Sequence, residues 1–388
     1  MKCVSALSTV RNTDDAAREV VERIAAGLAG APGDLALVFA SMHHAEALGK
    51  VAEAIRAQGI ARHVLGCTGE TILGDDREVE GEAALSLWVL HCPGIRLRPF
   101  SVPFDEDAFQ GPPDPASPQG SGTMILLGDP FTFQAEALLK TAHEKAKGLQ
   151  IVGGMASGSQ SPGANRLVLD GKVFDRGAVA VVIDGPIRLR TVVSQGCRPI
   201  GRTLIVTKID GNVIRELGRR PALEVLRELF ESLDPGEQAL VQRGLHIGRV
   251  INEYQETFRR GDFLVRNVLG ADDAGGIAIN DLIRVGQTVQ FHVRDAATAD
   301  EDLRALLEGA RPEPGGSRVA GALVFSCNGR GTRLFETPDH DAGMIRALLG
   351  PIPLAGFFAM GELGPVGGQN FMHGFTASVV LVEAPETT

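Results

Sequence analysis

The sequence predicts an α/β (mixed α+β) protein of two domains, with mixed sheets flanked by helices and built from repeated strand-helix-strand units. Two observations support this fold class. Short apolar segments typical of buried strands alternate with segments whose apolar residues recur at helical spacing. Three of the predicted strands also end in glycine-rich turns. The 388 residues suffice for two or three domains with large cores.

The first strand-helix-strand repeat follows a helix predicted over residues 14–30. Residues 35–40 are entirely apolar, which is typical of a buried strand. Residues 45–58 have the apolar spacing of a helix, and residues 63–66 predict a second strand. That strand runs directly into the turn Cys67-Thr68-Gly69-Glu70.

The second repeat begins after residues 110–122, a proline-, serine- and glycine-rich stretch that predicts an exposed loop. Its strands are predicted at residues 124–127 and 150–152, with a helix at about residues 133–147 between them. The second strand leads into a turn that contains Gly154 and Ser157.

The third repeat comes after a region of predicted strands and one helix that starts at Pro221. A strand over residues 322–325 ends in Ser326-Cys327-Asn328-Gly329-Arg330-Gly331. A helix at about residues 341–349 and a strand over residues 352–358 follow, and the last strand opens into a glycine loop that carries Glu362, Asn370 and His373.

The glycine turns of the three repeats can be aligned as VLGCTGETILG, IVGGMASG and LAGFFAMGELGP. This alignment puts Glu70 and Glu362 at comparable points. If the repeat is real, the turns after the strand ends should gather at one edge, where α/β proteins bind ligands. The alternative is that strands ending in glycine recur by chance.

Composition excludes several classes of partner. A net charge of −10 argues against nucleic acid and acidic membranes as partners, since both require a basic surface. The five cysteines form no C-x-x-C pair, which favours free thiols and a cytoplasmic location. No apolar run is long enough for a membrane helix, and no motif indicates a metal or other cofactor.

The motifs FSCNGRG (325–331) and GFFAMGELGPVGG (356–368) resemble those of the FIST family. GCTGE, QGCRPIG, RGDFLVRNVLGAD and VQFHVRDA extend the resemblance over nearly the whole chain. The resemblance implies a FIST N-like domain over residues 1–218 and a FIST C-like domain over residues 219–388. It also implies a sensory domain for small ligands, including amino acids, that acts with a signalling partner; family members include an F-box ubiquitin-ligase subunit. It gives no established catalytic residues.

The candidate ligand-binding residues lie in the glycine turns. The backbone N–H groups of residues 327–331 can form an anion-binding nest, and Arg330 can bind a carboxylate with two hydrogen bonds. Glu70 and Glu362 can accept an ammonium group. The alternatives are a solvated turn arginine and loop-capping carboxylates. The full set is Cys67, Thr68, Glu70, Gly154, Ser157, Cys327, Asn328, Arg330, Glu362, Asn370 and His373.

The sequence therefore predicts a small-ligand-binding sensory protein whose pocket is shared by both domains. Two other functions stay open. A thiol-dependent hydrolase or transferase would use Cys327, with His373 as its base, or Cys67, although free cysteines are also common core residues. A protein-interaction scaffold would need an exposed apolar patch.

Overall fold

The computed structural model describes residues 1–102, 122–312 and 317–384. The loop expected at residues 110–122 lies outside the described residues except for Gly122. The chain forms two compact units. Unit 1 comprises Met1–Val193, Leu303–Met372 and Thr376–Thr388, and unit 2 comprises Ser194–Asp302 and His373–Phe375. The division into a FIST N-like domain (1–218) and a FIST C-like domain (219–388) is a division of the sequence into family domains, and it stays a prediction.

The elements of the first repeat are β1 (Lys2–Ser8), α1 (Thr13–Leu28), β2 (Gly33–Ala40), α2 (Leu48–Ala57), β3 (Ala61–Thr68), β4 (Thr71–Gly74), β5 (Arg77–Glu80) and β6 (Leu85–His91). Those of the second are β7 (Arg96–Val102), β8 (Thr123–Gly128), α3 (Ala135–Lys145), β9 (Gln150–Met155), β10 (Leu167–Leu169), β11 (Lys172–Phe174) and β12 (Ala178–Asp184).

The third repeat begins with β13 (Arg188–Gln195) and is then interrupted by unit 2. Unit 2 contains β14 (Cys197–Asp210), β15 (Val213–Leu217), β16 (Arg220–Pro221), α4 (Ala222–Ser232), α5 (Pro235–Arg243), β17 (Leu245–Val250), β18 (Phe263–Ala271), β19 (Ile277–Ile279) and β20 (Thr288–Arg294). Helix α6 (Ala296–Gly309) spans the division. The third repeat then continues with β21 (Val319–Cys327), α7 (His340–Leu349), β22 (Leu354–Ala359), β23 (Glu362–Val366), β24 (Gln369–His373) and β25 (Thr376–Glu383).

Each repeat of unit 1 is centred on one six-stranded mixed sheet, and the three sheets share one strand order. The orders are β1-β6-β2-β3-β10-β11, β7-β12-β8-β9-β23-β24 and β13-β25-β21-β22-β4-β5. The two inner strands of each sheet are parallel and are joined by α2, α3 or α7, because parallel strands need a crossover connection. The predicted mixed fold with strand-helix-strand repeats is confirmed.

The hairpin that follows each inner pair of strands joins the sheet of another repeat. β4–β5 of the first repeat pairs with β22, β10–β11 of the second pairs with β3, and β23–β24 of the third pairs with β9. The three sheets are thus linked in a cycle. Because each hairpin leaves from the end of an inner strand, the three turns cross between sheets at the same edge.

The three sheets pack their inner faces against one shared apolar core. Phe39, Phe325 and Phe357 meet there, with ring centroids 5.3 to 6.2 Å apart. The outer faces are covered by helices: α1 and α2 on the first sheet, α3 on the second, and α6 and α7 on the third. This explains why the inner strands are apolar throughout, since both of their faces are buried.

A glycine occupies the same position in the second inner strand of every repeat. Gly66, Gly153 and Gly356 face Val38, Leu126 and Val324 in the parallel registers. A Cβ atom at any of the three would overlap the carbonyl oxygen of its partner residue. These are the first glycines of the aligned turns, so the sequence repeat reflects a close backbone approach.

Unit 2 is a seven-stranded antiparallel sheet in the order β14-β20-β17-β18-β19-β15-β16. Helices α4 and α5 pack on one face, over a core that includes Ile247, Phe291 and Val293. The other face carries a smaller cluster that includes Cys197, Phe263 and Phe375.

Candidate functional site

The turns that follow β3, β9 and β22 are hydrogen-bonded to one another in unit 1. Ser157 Oγ accepts a hydrogen bond from the Glu70 N–H at 3.0 Å and donates one to the Phe358 carbonyl oxygen. The Met155 N–H donates to the Gly361 oxygen at 2.9 Å, and the Met360 N–H donates to the Met155 oxygen at 3.0 Å. The expectation that these turns gather at one edge is therefore confirmed. The pocket that they were expected to line stays a prediction.

Glu362 lies at this edge and is completely buried. Its Oε2 accepts hydrogen bonds from the backbone N–H and the hydroxyl of Thr376, at 3.1 and 2.8 Å. Its Oε1 is buried and has no hydrogen-bond partner among the described residues. Burial raises the pKa of Glu362 to about 8, although the Thr376 hydrogen bonds and the charge of Arg330 oppose the rise. The carboxyl group is thus mostly protonated at neutral pH.

The pairing registers show that Glu362 and Glu70 are not equivalent. Glu362 faces Gly154, whereas Ile72 faces Phe357 and Leu167 faces Cys67 in the corresponding registers of the other sheets. Glu362 therefore occupies the position that the two other sheets give to a fully buried apolar side chain. The sequence alignment misplaced it by two residues, because Glu70 lies four residues after Gly66, whereas Ile72 and Glu362 each lie six residues after the corresponding glycines, Gly66 and Gly356.

Arg330 is fully buried and bound within the protein. Its Nε and Nη2 donate to the two carboxylate oxygens of Asp341, both at 2.7 Å, and its guanidinium carbon lies 5.1 Å from the centre of the Phe335 ring. Burial alone would raise the pKa of Asp341. The Arg330 charge and the hydrogen bonds from His340, Arg330 and Ser326 outweigh that effect and hold it below its usual value. Nη1 of Arg330 is buried without a partner, so the alternative of a solvated turn arginine is wrong.

Glu78, which the sequence analysis missed, completes this buried cluster. It lies on β5, and its Oε1 accepts hydrogen bonds from the N–H groups of Asp341 and Ala342 at the start of α7, at 2.8 and 2.9 Å. Burial and the negative charge of Asp341 raise the pKa of Glu78 to about 8. We call Glu78, Arg330, Asp341 and Glu362 the buried polar cluster.

At the surface, Glu70 pairs with Arg333, which also donates to the Asn328 carbonyl oxygen at 2.8 Å. Glu80 accepts hydrogen bonds from the N–H and hydroxyl of Thr332, at 2.9 and 2.7 Å. Acidic residues of the first repeat thus hold the loop that follows β21. Neither Arg333 nor Asp341 was a sequence candidate, because nothing in the spacing relates them to Glu70 or Arg330.

The other sequence candidates lie in four different places. Cys327 is 8% exposed beside the cluster, where the Gly329 N–H lies 3.4 Å from its Sγ. Cys67 and Thr68 are fully buried in the packing of the first sheet, and burial raises the pKa of Cys67 well above its usual value. Asn370 bonds to the backbone of Leu149 and Ile151, at the far end of β9 from the turns. His373 belongs to unit 2.

The described residues contain neither a candidate metal site nor a candidate membrane-spanning helix. No group of three or more His, Cys, Asp or Glu side chains among them is arranged to hold a metal ion. None of the helices that the structure describes has an apolar stretch long enough to span a membrane.

Comparison with known proteins gives family matches over most of the chain. A model described as the FIST N domain matches residues 34–220, and one described as the FIST C domain matches residues 222–365. An uncharacterized protein of Mycobacterium bovis is 42% identical, with 96% of this chain and 97% of the relative covered. Two uncharacterized proteins of Mycobacterium tuberculosis are 42% and 41% identical over 96% and 97% of this chain, and over 97% and 98% of their own lengths. The predicted family is therefore confirmed.

Proposed function

Since this chain belongs to the FIST family, whose domains generally serve in sensing and signal transduction, we propose that it is a sensory protein that binds a small amino acid or related carboxylate at the buried polar cluster of unit 1. Glu362 accepts the ammonium group of the ligand. The unpartnered Nη1 of Arg330 receives the carboxylate.

The observation that carries this proposal is the position of Glu362. The same fold is completed twice in this chain with an apolar side chain there, at Ile72 and Leu167. Folding therefore does not require a carboxyl group at this point. A buried polar atom without a partner is expected to lower the free energy of unfolding by about 1–3 kcal/mol. A group with that cost is expected where it serves a function other than folding.

The cluster has the chemistry that a zwitterionic ligand needs. A ligand ammonium group would stabilise the ionised form of Glu362 and so lower its raised pKa. Arg330 already neutralises Asp341, so the ligand carboxylate gains a hydrogen-bond donor rather than a whole unpaired charge. We therefore expect moderate affinity and a preference for ligands that carry both groups.

The test is a thermal-shift screen of amino acids, amines and small carboxylates against the full chain. A ligand at 100 times its Kd should stabilise the protein by about 2.7 kcal/mol. Glu362→Leu should abolish the shift while the protein stays folded, because the corresponding positions carry the aliphatic residues Ile72 and Leu167. Glu383→Gln is the control, since Glu383 is another buried carboxylate but pairs with Arg188 and Arg190.

Three outcomes separate the proposal from its alternatives. A screen without any stabiliser, or a shift that survives Glu362→Leu, contradicts the proposal. Turnover of the stabilising compound would favour the thiol-dependent enzyme, and rapid alkylation of Cys327 near pH 6 would identify its nucleophile. Without turnover, we expect slow alkylation and a structural Cys327.

A further inference from the structure

Unit 2 contains a cavity of about 370 Å³ where α4 meets the strands β14 and β20. Its apolar wall is formed by Leu204, Val225, Leu229 and Phe291, and the few polar side chains that line it include Arg202. This volume, and an apolar wall with few polar groups, are typical of a site for a small molecule. The cavity therefore has both the room and the lining for a ligand.

The cavity lies at a break in the pairing of β14 with β20. Between Ile200 and Leu204, three residues of β14 lie opposite the single residue Gln290 of β20. The Gln290 side chain donates to the Gly201 carbonyl oxygen at 2.8 Å and so holds this bulge. Gly201 has φ +63°, and a Cβ atom there would overlap the Leu229 side chain of α4. Bulges of this kind are over-represented beside functional sites.

Two motifs that the proposed function does not use meet at this cavity. QGCRPIG ends at Gly201, and VQFHVRDA contains Phe291. They pair side by side on β14 and β20, where Ile200 faces Phe291. A regular antiparallel pair would need no extra residues, so the bulge is the part of these motifs that folding does not explain.

The apolar wall is a part of the unit 2 core that the protein leaves open. Phe291 and Val225 are buried, at 1% and 9% exposure, whereas Leu204 and Leu229 are only partly buried against the same core. An apolar group placed in the cavity would remove the surface of these two leucines from water, which is favourable.

Arg202 supplies a hydrogen-bonding group beside this wall. It is exposed, and its guanidinium makes no hydrogen bond or salt bridge to any residue that the structure describes. The carboxylate that its charge acts on is Glu228, whose two oxygens both accept hydrogen bonds from Arg220. Arg220 has the largest effect in lowering the pKa of Glu228, and the charge of Arg202 lowers it further. Arg202 therefore keeps its donors for another acceptor.

We propose that this cavity binds a small molecule with an apolar body and one carboxylate group. The body packs against Leu204, Leu229 and Phe291, and the carboxylate accepts two hydrogen bonds from Arg202, whose forked donors match its geometry. The ligand needs no ammonium group, and the site lies wholly within unit 2. This proposal therefore goes beyond the proposed function, and either can fail alone.

The experiment titrates the full chain with 3-phenylpropionate, with hexanoate and with the uncharged amides of both acids. Calorimetry measures the affinity, and NMR of methyl-labelled leucine and valine locates the site. We expect at least one of the acids to shift the methyl signals of Leu204, Val225 and Leu229 saturably. That acid should bind roughly tenfold or more tightly than its amide, because the amide lacks the charge that Arg202 contacts.

Two variants test the site itself. Arg202→Gln should weaken binding of the acid by roughly tenfold or more and leave binding of its amide unchanged. Ser232→Phe should weaken binding of both, because it fills the cavity from an exposed position on α4. Arg227→Gln is the matched control, since Arg227 is an exposed arginine of α4 outside the cavity lining. Glu362→Leu should also leave binding unchanged.

The proposal is wrong if neither acid binds saturably, or if the amide binds as tightly as its acid. It is also wrong if Arg202→Gln, or a folded Ser232→Phe, binds the acid like the wild type. If Ser232→Phe does not fold, the methyl shifts and the Arg202→Gln variant decide.

Discussion

The third repeat of unit 1 has the backbone of the first two but a different chemistry at its strand ends. The three sheets share strand order, parallel inner pairs and an obligatory glycine. Yet Glu362 replaces the apolar Ile72 and Leu167, and Ser326 stands where the corresponding strands have Ala40 and Gly128. The comparison teaches that the fold needs only shape at these positions, so the buried charges of the third repeat are an addition to it.

The largest expected effect comes from breaking the buried ion pair of the third repeat. Arg330→Met should destabilise the protein by about 3–5 kcal/mol, because Asp341 is left as a buried charge without its partner. Urea unfolding measures the loss. The double variant Arg330→Met/Asp341→Leu should regain most of the lost stability, because it leaves no buried charge unpaired. A double variant that is no more stable than Arg330→Met would contradict the conclusion that the fold needs only shape at these positions.

The shared backbone is tested with the three glycines. Gly66→Ala, Gly153→Ala and Gly356→Ala should each destabilise by about 1–3 kcal/mol or more, because a Cβ there overlaps a carbonyl oxygen in all three sheets. Gly343→Ala in α7 is the control, because no atom lies within 4 Å of the added Cβ and alanine favours helix. If one of the three alanine variants were as stable as the wild type, the three glycines would not be structurally equivalent.

The pH dependence of stability should reveal the two carboxyl groups of the buried polar cluster whose pKa values are raised. The pKa values of Glu78 and Glu362 are raised from 4.5 to about 8 in the folded state. The folded protein then holds more protons than the unfolded one between these values. The stability that these groups contribute is complete below pH 4.5 and is lost as the pH rises through about 8, by at most about 1.4 kcal/mol per pH unit for each group.

Glu362→Leu should remove its share of that slope, as measured by urea unfolding at several pH values. Gly343→Ala is a suitable control here too, because the added Cβ has no atom within 4 Å. An unchanged slope in Glu362→Leu would show that Glu362 is ionised in the folded protein at neutral pH.

The smallest effect is expected at the surface pair of Glu70 and Arg333. Arg333→Gln should cost only about 0–1 kcal/mol, because its side chain is 55% exposed and solvent screens the pair. Thermal unfolding at low and high salt measures it, and the variant should lose most of its difference from the wild type at high salt. A loss of stability as large as that of Arg330→Met would mean that solvent exposure does not explain the different contributions of the two arginines.

Much of the fold could be predicted from local patterns. The apolar run at residues 35–40 and the helical spacing at residues 45–58 correspond to β2 and α2, although α2 begins later, at Leu48, after a short 3₁₀ helix. The glycine turns identified a true repeat, because each marks a backbone approach that only glycine permits. β1 and the exchange of hairpins between sheets were not predicted, because the pairing of a short strand is decided by distant partners rather than by its own residues.

The sequence by itself determined the repeat, the fold class and the family. Apolar periodicity and glycine spacing are local properties of the chain, so they can be recognised without a structure. Only the tertiary structure decided which polar residues act together. Glu78, Arg330 and Asp341 meet because a hairpin of the first repeat is added to the sheet of the third. Burial, and with it every shifted pKa at this site, depends on that exchange of strands between sheets. No residue spacing in the sequence indicates this exchange of strands.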